Sequence, residues 1–478
     1  MTRLGLWHGA RRIAPLAWPV FVGQVAVLAF STIDTVMVAR TTPTDLAALA
    51  IGASVYISVF VGFMGIILAI SPIAGQLYGA GKVPESGHET QQAMWLGVAL
   101  ALPGCALLLV PDPFLALAHA DPQVAIKVRD YLHGLAFALP PAFVFTAYRG
   151  FNIAISRPKA VMAMQIGALA LKVPVNAALV FGVSLATPLG ALRVPALGAS
   201  GCGIATALVV WIQLAAALVV LRHDPFYRRF GFGPRMRVAR PSAASLGALL
   251  RLGLPMGLAV LVEVTGFTFM AFFVSRTGVV AVAGHQIAAN MVSMMFMLPL
   301  AIANAASTLV AQRVGAGDRR DAREIGWVGL EIGVLVAAAL GTLVYLLRHR
   351  VVGLYTANPV IVAAALPLLA WVALFHVADA AQTIAAFVLR AYRIATVPLF
   401  VYVFALWGIG LGGGYVAAFD PLGISPPWMH GARGFWSMAT LGLASAGLGL
   451  AAVLAIKLRR DRRRETPSTG AALLQPLR

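Results

Sequence analysis

The chain has 478 residues, 60% of them hydrophobic and 11% charged, with a mean hydropathy of +0.86. A soluble domain carries about 25% charged residues, which excludes a soluble enzyme or binding module and predicts a polytopic helical membrane protein. The net charge of +19 sits in short clusters ("GARR", "RHDPFYRRFGFGPRMRVAR", "GDRRDARE", "KLRRDRRR"), so it reports membrane topology, and nucleic acid is excluded as a partner.

In chain order, residues 1–13 lack an apolar core with a small-residue cleavage site and are expected to remain as a cytoplasmic N-terminus. Twelve apolar spans follow, each near or above the ~20 residues that cross a bilayer. They are drawn at 14–39, 46–76, 92–111, 131–155, 160–183, 198–221, 249–275, 280–313, 325–347, 358–389, 395–418 and 433–457. This is an all-α fold of twelve transmembrane helices in two pseudo-symmetric six-helix lobes, 14–221 and 249–457. A basic cytoplasmic connector, 222–248, joins them, and 458–478 reads as a disordered basic cytoplasmic tail. The even-numbered connections carry most of the Lys and Arg, which puts both termini in the cytoplasm. Cys105 and Cys202 lie in apolar segments and read as small buried hydrophobes.

The two lobes share an internal repeat. At an ungapped offset of 236, Pro19 meets Pro255, Arg40 meets Arg276 and Ser71 meets Ser307, and "QLYGAG" at 76–81 meets "QRVGAG" at 312–317. Six spans per half give both copies the same orientation, a parallel repeat of the kind found in transporters, with the site expected where the halves face each other.

Three acids interrupt the spans: Asp34, Glu263 and Asp379. An intramembrane acid costs a few kcal/mol unless it faces water, pairs or protonates, and no Lys or Arg is placed deep enough to pair with all three. On the first span Gln24, Ser31 and Thr35 form a stripe beside Asp34. On the tenth, His376, Asp379 and Thr383 share one face, and on the eighth Asn290, Met294, Met297 and Asn304 do. Such stripes must face protein or water. A carboxylate that binds either a proton or another cation, each displacing the other, is the chemical core of antiport. Met270, Met291, Met294, Met295 and Met297, with Phe267, Phe269 and Phe296, offer soft thioethers and aromatic faces for flat organic cations. Prolines at 19, 72, 174, 255 and 299 can bend their helices, and protonation or cation binding at Asp34 is expected to bend the first span at Pro19.

Seven segments in order carry a resemblance: "STIDTVMVAR", "SPIAGQLYGAGK", "LKVPVN", "GASGCGIATALVVW", "LPMGLAVLVEVTGF", "AGHQIAAN" and "DAAQTIAAFVLRAYR". Across roughly 14–457 the chain resembles the NorM-like branch of the multidrug and toxic compound extrusion family. The resemblance implies two lobes in a V and efflux of organic, often cationic and aromatic, drugs in antiport with Na+ or H+ by alternating access. It implies a coupling-cation site at Asp34, Asn152, Asn176 and Thr206, and another at Glu263 and Asp379 with His376, where Na+ would sit at Asp34 or at Glu263 and Asp379. Phe375 stands where some relatives carry a tyrosine. Gln24, Ser31, Asn290, Met294, Met297, Asn304, Phe375 and Thr383 are the cavity candidates. No cofactor beyond the coupling ion, a monomer in contact with membrane lipid, and a bacterial inner (plasma) membrane are expected. The alternative is a flippase or exporter of a lipid-linked or polysaccharide precursor from the same wider superfamily, whose anionic cargo would call for a cavity lined with Arg or Lys. No H-E-x-x-H, G-x-S-x-G or Walker loop is present, so an enzyme is not expected.

Overall fold

The computed structural model describes residues 5–118, 121–187, 190–234, 236, 238–421 and 423–465. The chain is a polytopic helical membrane protein. Its helices are α1 (Leu6–Val38), α2 (Pro43–Ile67), α3 (Ile70–Gly79), α4 (Val83–Leu109), α5 (Asp112–Ala118), α6 (Pro122–Ala136), α7 (Leu139–Ala154), α8 (Pro158–Phe181) and α9 (Ala199–His223). After a 3₁₀ turn at Pro225–Phe230 come α10 (Ala243–Ser275), α11 (Val279–Gly315), α12 (Arg319–Leu346), α13 (Arg348–Tyr355), α14 (Pro359–Ala391), α15 (Thr396–Tyr402), α16 (Gly413–Phe419) and α17 (Ala432–Glu465).

Among the described residues, eleven apolar stretches are long enough to cross a bilayer as helix. The twelfth, expected at 131–155, is α6 and α7 end to end. Pro140 and Pro141 have no N–H to offer the carbonyls one turn back, so the ladder breaks at Phe137–Ala138 while the backbone there stays near helical. The same chemistry separates α2 from α3, where Pro72 cannot pair with Leu68 and the N–H of Ser71 takes that carbonyl at 3.0 Å. By contrast α1 runs unbroken through Pro15 and Pro19. Between α15 and α16, Val403–Gly412 widens into a π-helix. Gly442 of α17 lies against it so closely that a Cβ would fall 2.5 Å from the Ala405 carbonyl oxygen.

Two features depart from the sequence expectations. The fifth span ends at Phe181, and a short antiparallel hairpin, β1 (Val183–Thr187) paired with β2 (Gly190–Val194), leads toward α9. Helix α17 continues to Glu465, through the first residues assigned to the tail, and 466–478 lie outside the described residues. The connector is anchored. Gln91 and Gln92 of α4 hold the backbone of Ala239, Arg240 and Ser242 at 2.7 to 2.9 Å, and Trp95 donates to the Ala239 carbonyl.

By packing, the chain divides into two units, Ala14–Thr268 and Met1–Ile13 with Phe269–Arg478. In the first, Tyr131 of α6 is wedged between Gly52 of α2 and Gly203 of α9, each too close to its ring or backbone to admit a Cβ. Gly65 of α2 meets Gly257 of α10 backbone to backbone. In the second, Arg12 grips Asp321 at the start of α12 with two hydrogen bonds of 2.7 and 2.8 Å.

The repeat is visible as recurring local chemistry. Ser71 donates to the Gly150 carbonyl of α7 at 3.1 Å, and Ser307 donates to the Phe387 carbonyl of α14 at 2.8 Å. Both Gly-Ala-Gly loops close their helices alike: the N–H of Ala80 and of Ala316 folds back onto Gln76 and Gln312, and Gly81 and Gly317 take φ of +75° and +79°. Helices α7 and α14 both end at a non-glycine residue with positive φ, Ser156 and Arg393.

Candidate functional site

In the unit Ala14–Thr268 the site is built on four helices around Asp34, which is 8% exposed. Lys172 and Asn176, one turn apart on α8, both reach it. The Lys172 ammonium lies 3.0 Å from Asp34 Oδ1 and 3.1 Å from Oδ2, and the Asn176 amide donates to Oδ1 at 3.0 Å. Lys172 also donates to Thr206 Oγ1 of α9, whose own hydroxyl donates to the Cys202 carbonyl at 2.8 Å. Cys202 hydrogen-bonds to Asp34, and Tyr131 of α6 lies close by.

Three of the four residues expected here, Asp34, Asn176 and Thr206, are therefore gathered at one point. Asn152 is engaged elsewhere: it donates to the Tyr148 carbonyl at 2.9 Å and accepts from the Tyr227 hydroxyl at 2.6 Å. The expectation that no basic residue would serve all three acids overlooked that one serves Asp34 closely. A signal existed, because Lys172 is a lone basic residue in mid-span, spaced by four from Asn176 inside "LKVPVN". Gln24, from the same face of α1, lines a small cavity with Pro19, Arg149 and Gln165, and Ser31 is exposed and bonds back to Leu28. Glu263 is half-buried on α10 and packs in this unit.

In the second unit Asp379, 4% exposed on α14, accepts from Gln382 Nε2 at 2.9 Å. The same nitrogen donates to Thr383 Oγ1 at 3.0 Å, and the Tyr402 hydroxyl donates to Gln382 Oε1. Gln382 and Tyr402 were not anticipated. Both are polar groups in apolar spans, which is the signal that the acids themselves gave. His376 is fully buried on the same helix, yet neither ring nitrogen has a hydrogen-bond partner among the described residues. Phe375, 1% exposed, packs edge-on against Trp436 at 5.5 Å between centroids. On α11, Asn290 accepts from the Tyr355 hydroxyl at 3.0 Å, Asn304 bonds back to Leu300, and Met294 is exposed with Met297 half-buried beyond it.

One carboxylate in each unit is thus buried in a membrane helix: an ammonium and an amide hold Asp34, and an amide holds Asp379. Among the described residues no cluster of three His, Cys, Asp or Glu is arranged to hold a metal ion.

Comparison with known proteins agrees with this architecture. The MatE family model matches residues 19–178 and again 255–416, two starts separated by the same 236 residues as the internal repeat. The chain is 38% identical over 459 residues to a probable multidrug resistance protein NorM from Aromatoleum aromaticum, covering 96% of each. It is 36% identical over 461 residues to a protein of the same name from Chromobacterium violaceum, covering 95% of this chain and 96% of that one. The crystal structure of the eukaryotic MATE transporter AtDTX14 superposes with a TM-score of 0.82 at 19% identity, covering 96% of this chain and all of that one, a likeness of fold. A family match that occurs twice in step with the repeat, and relatives above 30% identity along almost the whole chain, place it: the chain belongs to the MatE family, in its NorM-like branch.

Proposed function

We propose that this chain is a secondary active multidrug efflux transporter that exports organic cations, often aromatic, in antiport with an inorganic cation by alternating access. The observation that carries the reading is the pair of buried carboxylates, Asp34 and Asp379, each deep in a membrane helix and each cradled by groups able to hold an acid in either charge state. The two NorM relatives are named as probable multidrug resistance proteins, which supports the same reading. Asp34, Asn176 and Thr206 serve coupling in one unit and Asp379 in the other, with Glu263 as a further acid. Asn290, Met294 and Met297 contribute polar and thioether contacts to cargo. The protein acts as a monomer in a bacterial inner membrane, with both termini in the cytoplasm, a topology that the placement of Lys and Arg supports.

Everted vesicles loaded with a fluorescent organic cation test this. Imposing a proton or sodium gradient should drive accumulation, and Asp34→Asn combined with Asp379→Asn should abolish it. Undiminished accumulation by that double variant would refute the reading.

A further inference from the structure

Lys172 was not among the residues expected at the site, yet its position decides which ion the site can hold. Its side chain is fully buried, and its ammonium stands astride the Asp34 carboxylate, 3.0 and 3.1 Å from the two oxygens. That is where a hard cation chelated by both oxygens would stand. Thr206 Oγ1, a second oxygen nearby, is also claimed: it receives a hydrogen from Lys172 and gives its own to the Cys202 carbonyl. The Phe30 ring closes one side, 5.4 Å from the ammonium. The other titratable groups facing Asp34 are Cys202 on α9 and Tyr131 on α6, neither of which is positive in any protonation state.

We propose that Lys172 selects the coupling ion. Its ammonium is a built-in cation that bars Na+ from Asp34 and leaves the proton as the ion this unit exchanges. The inference deepens the efflux reading above and rests on it. When Asp34 takes a proton the ion pair is lost, and the three hydrogens of Lys172 need acceptors. Thr206 Oγ1 holds one, and Asn176 Oδ1, fully buried, one helical turn along α8 and without a hydrogen-bond partner, is placed to take another. With the ammonium astride both carboxylate oxygens and bonded to Thr206, Na+ would have to displace it to reach Asp34. Asn152, the remaining oxygen donor expected for a sodium site, is tied to Tyr227 and Tyr148.

The test compares the wild type with Lys172→Gln, Lys172→Arg and Lys172→Gln combined with Asp34→Asn, as purified protein and in proteoliposomes. Thermal unfolding is followed in 100 mM NaCl and in choline chloride at fixed pH. Lys172→Gln should gain about 3–5 °C from Na+ if its site binds with a dissociation constant near 10 mM. The wild type, Lys172→Arg and the double variant should gain nothing comparable. In proteoliposomes, ethidium transport by the wild type should follow ΔpH, and Lys172→Gln should acquire a response to a Na+ gradient with ΔpH collapsed. The proposal is overturned if Lys172→Gln gains no Na+ response, or if Lys172→Arg gains as large a one. It is equally overturned by a wild-type Na+ response that Asp34→Asn removes, a result that needs no folded Lys172 variant. Failure of the wild type to move ethidium under either gradient would sink the efflux reading instead, and the Na+-dependent thermal shift would still decide the role of Lys172.

Discussion

Replacing Lys172 with methionine removes the ammonium while keeping most of the side-chain volume, and it leaves Asp34, 8% exposed, without its cation. At the observed 3.0 Å the Coulomb attraction is about 5 kcal/mol at an effective dielectric near 20. The cost of taking both charges out of water cancels much of that, so the intact pair is worth little more than an apolar pair of the same shape, whereas a lone buried charge costs about 3–5 kcal/mol. One kcal/mol moves the midpoint of a unit of some 250 residues by roughly 2–4 °C, so Lys172→Met should lower Tm by roughly 6–20 °C in sodium-free buffer. Converting both partners, Lys172→Met with Asp34→Leu, should return Tm to within about 4 °C of wild type, because no unpaired charge remains. A thiol-reactive dye in detergent reads the transition, since the free Cys202 is buried in the fold and Cys105 is only partly exposed. The exposed Lys159, on the same helix, supplies the control. The reasoning is refuted if Lys172→Met is no less stable than Lys159→Met, or if the double variant is no more stable than the worse single one.

Four further outcomes are expected. Ser71→Ala and Ser307→Ala should each cost about 1 kcal/mol, a fall of a few degrees in Tm, and should add when combined because the serines pack in different units. Gly65→Ala should cost about 1–3 kcal/mol in the same assay, because its Cβ would fall 2.6 Å from the Gly257 Cα, whereas Gly167→Ala, with open space around it, should cost nothing. His376→Leu should leave Tm unchanged or raise it, because both ring nitrogens of the buried imidazole lack partners; a large fall would reveal a polar role. The Phe226 N–H and then the Arg157 guanidinium hold the Asp224 carboxyl below the ordinary range. Its stabilisation is therefore complete above about pH 4 and fades as pH falls through the lower folded value, so hydrogen-exchange protection at residues 226–230, corrected for the intrinsic rate, should fall toward pH 3, and Asp224→Asn should show that loss at neutral pH.

The spans were legible because length and hydropathy alone decide whether a segment crosses a bilayer. Their interruptions were less so. A proline marks where a donor is missing, yet α1 absorbs Pro15 and Pro19 while Pro72 and Pro140 mark breaks, and the outcome depends on whether another N–H can take the freed carbonyl. The π-helix at Val403–Gly412 has no local signature apart from its glycines, because it answers the approach of Gly442 from a helix still to come in the chain. At the site, the acids were legible as single residues that membrane helices penalise. Lys172 and Gln382 carry the same penalty and were passed over, since each matters through a partner on another helix or turn rather than through its own depth. Asn152 fails in the opposite way: it is buried and polar as expected, but Tyr227, from the basic connector, reaches it.

The repeat explains why the site chemistry cannot be the same in both halves. Backbone devices recur: the serine-to-carbonyl bonds, the Gly-Ala-Gly caps and the positive-φ helix ends depend on main-chain geometry that both copies share. The ionisable groups do not. The 236-residue step from Asp34 lands on Met270, and the stretch that stands in the second family match where α8 carries Lys172 and Asn176 is Gly408–Gly414, five glycines in seven residues. There the second copy has given up side chains for a widened helix against α17, and its acid appears on α14 instead, hydrogen-bonded to Gln382, a partner on the same helix. A lysine-held carboxylate in one unit and an amide-held one in the other are thus two different answers to the same intramembrane penalty, one met by an opposite charge from a second helix and one by an amide from the same helix.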